Sequence, residues 1–215
     1  MIPLETMENA FQGQECFVLG NGPSLNRTPG LARALQGKLV ISCNHIYKLL
    51  TPRFLCCSDP DMYLPNKTVI DTQPCIKVLS FCDSFRSAEP LPPDGIRVHR
   101  VMTEMADAKP QAFDLSPAYN GWSVILDCCL QFAFFVGCAT AYLLGCDCTT
   151  DGHFYDPREP RVDPDLVFGR VKRNYRAAKD AYERNGRKIL NATVGGTLEV
   201  FDRVNVSQLL DVEVL

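Results

Sequence analysis

A series of short apolar runs, bounded by glycine, proline, aspartate or asparagine, constrains this chain more than any other feature. Runs this apolar predict strands that are buried on both faces, because a half-exposed strand would alternate apolar with polar residues. Helical stretches stand between several runs, and this alternation predicts an α/β fold: a Rossmann-like, doubly wound, mostly parallel sheet that binds ligands at the carboxyl ends of its strands. The predicted strands span residues 15–20, 39–43, 54–58, 76–81, 96–101, 139–144 and 188–193.

Two longer segments predict helices, and two others predict loops. Residues 122–136 are apolar almost throughout, so we expect a helix buried against the sheet, whereas the charged residues 165–187 predict an exposed helix. Segments 84–117 and 148–165, rich in proline and charge, predict a lid-like loop region over a site. No repeat or linker divides the chain, so we expect residues 1–215 to form one domain.

Composition narrows the functional classes. A formal net charge of −3 provides no basic field for nucleic acid, and no apolar window reaches the roughly 18 residues of a membrane span. The N-terminus lacks the pattern of a secretory signal, so we expect a cytoplasmic protein. The eleven cysteines form no CxxC and are expected to be reduced, buried thiols. A redox pair at Cys146 and Cys148 is the alternative.

The first strand is followed by a glycine-containing turn, Gly20-Asn21-Gly22-Pro23-Ser24. Glycines let backbone amides approach an anion, so the turn predicts a cradle for a phosphate or a sugar at the start of a helix. The alternative is an ordinary tight turn between strand and helix. The turn matches neither the dinucleotide GxGxxG pattern nor a Walker loop.

Polar residues follow other predicted strands. Asn44 follows the second, where its amide would read a base or a ribose hydroxyl, or cap a turn. Asp59 and Asp61 follow the third, where they would bind Mg²⁺ and a diphosphate or, more commonly, begin a helix. Asp147 stands after the strand 139–144 and is a candidate functional carboxylate.

The loop after Asp147 carries His153, one of three histidines, and Tyr155. An imidazole can serve as a general base near neutral pH, and a tyrosine hydroxyl can bond a phosphate oxygen. The alternative is a solvated loop without a role in chemistry.

The order of these motifs resembles two related families. The turn Gly20–Ser24, the pair Cys43-Asn44, Tyr119-Asn120-Gly121 before an apolar helix and the segment 141–147 are similar to the bacterial lipooligosaccharide α-2,3-sialyltransferases. Residues 185–193 with 198–201 resemble the closing segment of a family named for an archaeal 6-hydroxymethylpterin pyrophosphokinase.

The sialyltransferase resemblance implies a donor site for a CMP-activated sugar. It places Gly20, Asn21 and Ser24 at the first loop and Asn44 near the sugar or phosphate. Three positions depart from the family pattern. Asp59 stands where the family has an asparagine, and Asn120-Gly121 stands where it has a Ser-Gly pair. Of the family's two phosphate-binding tyrosines, Thr149 replaces the first and Tyr155 matches the second. The family's general-base histidine lies in a later segment, and no histidine follows His153 here.

Three functions remain open at this stage. The first is a glycosyltransferase with a nucleotide-sugar donor and a glycan acceptor, in which His153 is the base and Asp59 or Asp147 the reserve. The second is a pterin pyrophosphokinase-like enzyme that binds ATP, with Mg²⁺ held by Asp59, Asp61 and Asp147. The third is a non-catalytic nucleotide- or sugar-binding protein. The first implies no resident metal or cofactor, and the oligomeric state stays open.

Overall fold

An eight-stranded sheet forms the centre of the protein, seen in a computed structural model that describes residues 1–82, 92–101, 115, 118–119, 123–157 and 164–215. Its spatial order is β6-β5-β4-β3-β2-β1-β7-β8, and every adjacent pair is parallel. The strands are β1 (Glu15–Leu19), β2 (Val40–Cys43), β3 (Phe54–Cys57), β4 (Ile76–Cys82), β5 (Gly95–Val101), β6 (Ala118–Tyr119), β7 (Thr140–Leu144) and β8 (Lys188–Asn191). All the strands predicted from apolar runs are present, and the two-residue β6 is an addition.

Helical segments cover both faces of the sheet, so the doubly wound prediction is confirmed. One face packs against a π-helical segment (Ile125–Cys129), α3 (Leu130–Phe135) and α4 (Pro164–Arg184). The other face packs against α1 (Leu31–Ala34), α2 (Pro60–Asp71) and α5 (Val206–Leu210). Successive strand residues alternate between the two cores, as Val18 and Leu19 do in β1. In the described part of the chain, no helix combines the length and apolarity needed to cross a bilayer.

The two predicted helices differ from expectation in detail. The apolar segment is buried as predicted, but its first turn is π-helical and continues into α3. The helix predicted over 165–187 is present as α4 and exposes Arg173, Arg176 and Asp180, but it is amphipathic and buries its opposite face. Val171, Tyr175, Ala178 and Tyr182 are buried, and their spacing puts them on one face of the helix against the sheet.

The cysteines with described side chains are free thiols, and all but Cys148 are buried. Burial raises the pKa of the Cys146 thiol well above its usual value and raises that of Cys148 to about 11. Neither thiol is therefore a thiolate near neutral pH, which favours packing over the redox alternative.

The strand order reverses between β1 and β7. β2 to β6 extend the sheet on one side of β1, whereas β7 and β8 extend it on the other. The connections leaving β1 and β7 therefore diverge and open a crevice at the carboxyl ends of these strands, where open α/β sheets commonly bind ligands.

Candidate functional site

A cavity of about 240 Å³ lies at this crevice. Its walls come from the loops after β1, β2 and β7, from the start of the π-helical segment and from α4. The lining residues are Gly20, Asn21, Gly22, Pro23, Cys43, Asn44, Ser123, Val124, Ile125, Gly145, Cys146, Asp147, Cys148, Thr149, Gly152, His153, Val171 and Tyr175. Seven of the residues predicted from sequence are therefore brought together: Gly20, Asn21, Gly22, Asn44, Asp147, Thr149 and His153.

The loop after β1 packs directly on the loop after β7. The Gly20 N–H donates to the Leu144 carbonyl and the Gly22 N–H to the Gly145 carbonyl, each at 2.8 Å. A Cβ atom on Gly20 would lie 2.3 Å from the Gly145 carbonyl oxygen, so no larger residue fits there without movement. The glycines of the first loop thus allow two backbones to touch.

Asp147 fastens the same two loops. Its carboxylate accepts a hydrogen bond from the Ser24 N–H at 3.1 Å and another from the Ser24 hydroxyl at 2.8 Å. A Cβ atom on Gly22 would lie 1.8 Å from Oδ2 of Asp147. Burial raises the pKa of the Asp147 carboxyl above its ordinary value, and the two bonds from Ser24 oppose that shift.

These contacts occupy three of the four N–H groups in the turn Gly20–Ser24. The N–H groups of Gly20, Gly22 and Ser24 all donate to protein acceptors, and so does the Ser24 hydroxyl. These three N–H groups are therefore not donors to an anion here, and the anion cradle at this turn stays a prediction. Ser24 lies beneath the loop and supports it through Asp147, without lining the cavity itself.

Three residues of the cavity wall carry buried oxygens that make no hydrogen bond. Among the described residues four such side-chain oxygens occur, and three of them line this cavity: Asn21 Oδ1, Asn44 Oδ1 and Thr149 Oγ1. A buried polar atom left unpaired costs about 1–3 kcal/mol. Two of the three are amide carbonyl oxygens, which accept hydrogen bonds, so the cavity suits a ligand with hydroxyl or amino donors.

The two asparagines are held in place by the backbone around them. The Asn21 side-chain amide donates to the Cys43 carbonyl oxygen at 3.0 Å and to Cys43 Sγ at 3.1 Å, which leaves its Oδ1 for another partner. Asn44 has a φ of 51°, a left-handed conformation that asparagine tolerates better than most residues. That conformation occurs where the chain turns out of β2.

His153 lies in a loop tied to the first loop. The Phe154 N–H donates to the Asn21 carbonyl at 2.9 Å, and the Asn26 side-chain amide donates to the Phe154 carbonyl at 2.9 Å. The His153 ring stacks on the Tyr155 ring, with centroids 5.2 Å apart and planes inclined by 24°. Tyr155 therefore stands behind His153, beside the cavity, and is not among its lining residues.

Asp59 lies elsewhere. It is exposed, and its carboxylate accepts the Asp61 N–H at 2.9 Å, which caps the start of α2. The helix-start alternative thus describes this Asp-Pro-Asp turn. Within the described ranges, no three His, Cys, Asp or Glu side chains converge as a metal site would require. The candidates Asn120 and Gly121 lie outside the described residues.

Sequence reasoning missed part of the cavity wall. Tyr175 is only 2% exposed, and burial raises the pKa of its hydroxyl well above the usual value, opposed by a hydrogen bond with the Ser123 side chain. The signal was present in the sequence, because Val171 and Tyr175 belong to the apolar stripe of α4. Ser123 carried no comparable signal.

The fold and the site together define a Rossmann-like α/β domain with a cavity at its topological switch point. No protein-family model matches the chain, and no curated protein matches it in sequence. In structure the chain is similar to the MAf glycosyltransferase from Magnetospirillum magneticum AMB-1, with a TM-score of 0.59 and 14% sequence identity. The match covers 96% of this chain but 36% of that glycosyltransferase, so this chain spans little more than a third of its length. At this identity the likeness shows a shared fold.

Proposed function

We propose that this protein is a glycosyltransferase that takes its sugar from a CMP-activated donor and transfers it to a glycan acceptor. The observation that carries the proposal is the set of three unpaired oxygens on Asn21, Asn44 and Thr149 around one cavity. The sequence resemblance to sialyltransferases and the shared fold with a glycosyltransferase point the same way.

The unpaired oxygens match the donor groups of a nucleotide sugar. Oδ1 of Asn21 and Oδ1 of Asn44 accept hydrogen bonds from ribose hydroxyls or from the amino group of a cytosine. The Thr149 hydroxyl can both donate and accept, so it suits a sugar hydroxyl or a phosphate oxygen. Hydrogen bonds from such a ligand would offset the free-energy cost of leaving these oxygens unpaired.

His153 is the proposed general base. His153 lines the cavity, and in its neutral form one ring nitrogen can accept the proton of an acceptor hydroxyl as that oxygen attacks the donor sugar and the bond from the sugar to CMP breaks, releasing CMP. The Asp147 carboxylate already accepts two hydrogen bonds from Ser24, so we assign it a positioning role. Asp59 caps α2 in solvent and is left out of the catalytic machinery.

The pyrophosphokinase alternative receives less support. It needs Asp59, Asp61 and Asp147 to share Mg²⁺, whereas Asp59 and Asp61 are exposed at the start of α2 and Asp147 is bonded to Ser24 at the cavity. The arrangement of these carboxylates gives no reason to prefer ATP with Mg²⁺ as the ligand.

A thermal-shift comparison of CMP, CDP, UDP, GDP and ATP, each with and without Mg²⁺, tests the proposal. A ligand that binds the folded state alone stabilises it by about 2.7 kcal/mol at a hundred times its Kd. We expect CMP to raise the melting temperature without Mg²⁺. A shift confined to ATP with Mg²⁺ would favour the phosphotransferase, and no shift with any nucleotide would contradict the proposal. Binding without transfer from a CMP-sugar would indicate the non-catalytic alternative.

A further inference from the structure

Beside the cavity, basic side chains surround a single aromatic ring. The Tyr155 ring stacks on His153, meets the His45 ring edge-on at 4.7 Å between centroids, and lies 4.5 Å from the Lys48 ammonium. His45 Nδ1 is 2.9 Å from the Tyr47 hydroxyl, which fixes the orientation of the imidazole. We call His45, Lys48, His153 and Tyr155 the basic aromatic cluster.

The cluster adjoins the cavity on two sides. His153 belongs to both the cluster and the cavity wall, and His45 directly follows Asn44, which also lines the cavity. The 3-10 helix Asn44–Lys48 carries His45 and Lys48, so the turn that places Asn44 in the wall also places these two basic side chains next to it.

The cavity itself has little positive charge to offer a nucleotide. Among its described lining residues, His153 is the one basic side chain. The amides of Gly20, Gly22 and Ser24 are occupied by protein acceptors, so these three groups do not supply the missing anion donors. A cationic partner at the edge of the cavity would stabilise a phosphate or carboxylate on the bound molecule.

We infer that Lys48 and His45, held against the Tyr155 ring, form a subsite for an oxyanion on the molecule that occupies the cavity. The inference rests on the proposed function, since the source of the oxyanion is either the phosphate of the nucleotide donor or a carboxylate on the acceptor sugar. Lys48 supplies a permanent positive charge, and the aromatic ring restricts where its ammonium goes. Asp151, in the same loop as Tyr155, is exposed, so solvent screens its opposing charge.

Calorimetric titration of CMP and of cytidine, which differ by one phosphate, tests the first source. We expect Lys48→Met to reduce the ratio of CMP affinity to cytidine affinity by about fivefold, the upper end for an exposed charge pair, and to leave cytidine affinity unchanged. Lys38→Met, an exposed lysine beyond α1, is the matched control and should preserve the ratio. Tyr155→Leu should reduce the ratio of CMP affinity to cytidine affinity as Lys48→Met does. Tyr155→Phe keeps the aromatic ring and should preserve this ratio. Thermal melting of each variant checks that it is folded.

The second source is tested with methyl glucuronide and methyl glucoside, titrated in the presence of CMP. If the oxyanion belongs to the acceptor, Lys48→Met preserves the CMP to cytidine ratio but lowers the preference for the glucuronide about fivefold. If Lys48→Met changes neither preference, the inference is overturned and the proposed function stands. If the wild-type protein binds neither CMP nor cytidine, the proposed function itself fails, and the inference fails with it.

Discussion

The carboxylate of Asp147 accepts both the backbone N–H and the hydroxyl of Ser24, at 3.1 and 2.8 Å. The two residues are 123 positions apart in sequence and belong to the loops after β1 and β7. Their contact joins these two loops at the topological switch point and holds Asp147 in the cavity wall.

Asp147→Asn should change how stability depends on pH. Burial raises the pKa of Asp147 above its ordinary value of 3.8, so the folded state holds this proton more tightly than the unfolded chain does. The resulting stabilisation is present below the ordinary pKa and is lost as pH rises through the raised value. The amide retains an acceptor for the Ser24 N–H. In urea denaturation from pH 4 to 7, the free energy of unfolding of the wild type should fall relative to that of Asp147→Asn. Parallel pH profiles would contradict this.

Gly22→Ala should separate the two loops. Its Cβ would lie 1.8 Å from Oδ2 of Asp147, so the carboxylate would have to leave Ser24. We expect a loss of roughly 3 kcal/mol in the free energy of unfolding. Gly169→Ala is the matched control, because a Cβ atom there has no other atom within 4 Å. Alanine favours the helix more than glycine does, so the free energy of unfolding should rise by about 0.5–1 kcal/mol. Denaturant unfolding of both variants measures these changes. Equal changes in the free energy of unfolding would argue against the contact between Ser24 and Asp147.

Much of the fold is predictable because each buried strand is a local apolar run, and a run needs no distant partner to be recognised. Asn44 and Asp147 could be assigned to one site because parallel strands end at the same edge of a sheet. The pairing of Ser24 with Asp147 was beyond a single sequence, since it depends on loops brought together across the sheet. The approach of Lys48 and His45 to Tyr155 was hidden for the same reason.

Thr149→Val should stabilise the protein and weaken its binding of CMP. The threonine hydroxyl oxygen is buried without a hydrogen bond, so a methyl group of similar shape should stabilise the ligand-free protein by about 1 kcal/mol. If the hydroxyl binds the ligand, CMP affinity should fall about tenfold, equivalent to ~1.4 kcal/mol. Melting curves and calorimetry measure the two effects.

Thr72→Val, outside the cavity, removes hydroxyl bonds to the Thr68 and Val69 carbonyls, so it should destabilise the protein and leave affinity unchanged. A Thr149→Val variant that is less stable and binds normally would refute the role.

His153→Gln should separate binding from turnover. The imidazole lines the cavity as the proposed base, and loss of a general base typically slows a reaction by about 10²–10⁴-fold. We expect near-normal CMP affinity with transfer reduced in that range, measured with a CMP-sugar donor. Asp59→Asn keeps a capping side chain at the exposed start of α2 and should transfer at the wild-type rate. Full transfer by His153→Gln would reject the histidine as base, and a loss in Asp59→Asn would reinstate the aspartate.

We propose that this cavity binds a nucleotide through the unpaired oxygens of Asn21 and Asn44. A crystal structure of the protein with CMP tests it most directly. We expect CMP in the cavity, with its hydroxyl or amino donors about 2.7–3.2 Å from Oδ1 of Asn21 and Oδ1 of Asn44. Ordered CMP elsewhere on the molecule, with both oxygens still lacking a ligand partner, would contradict it.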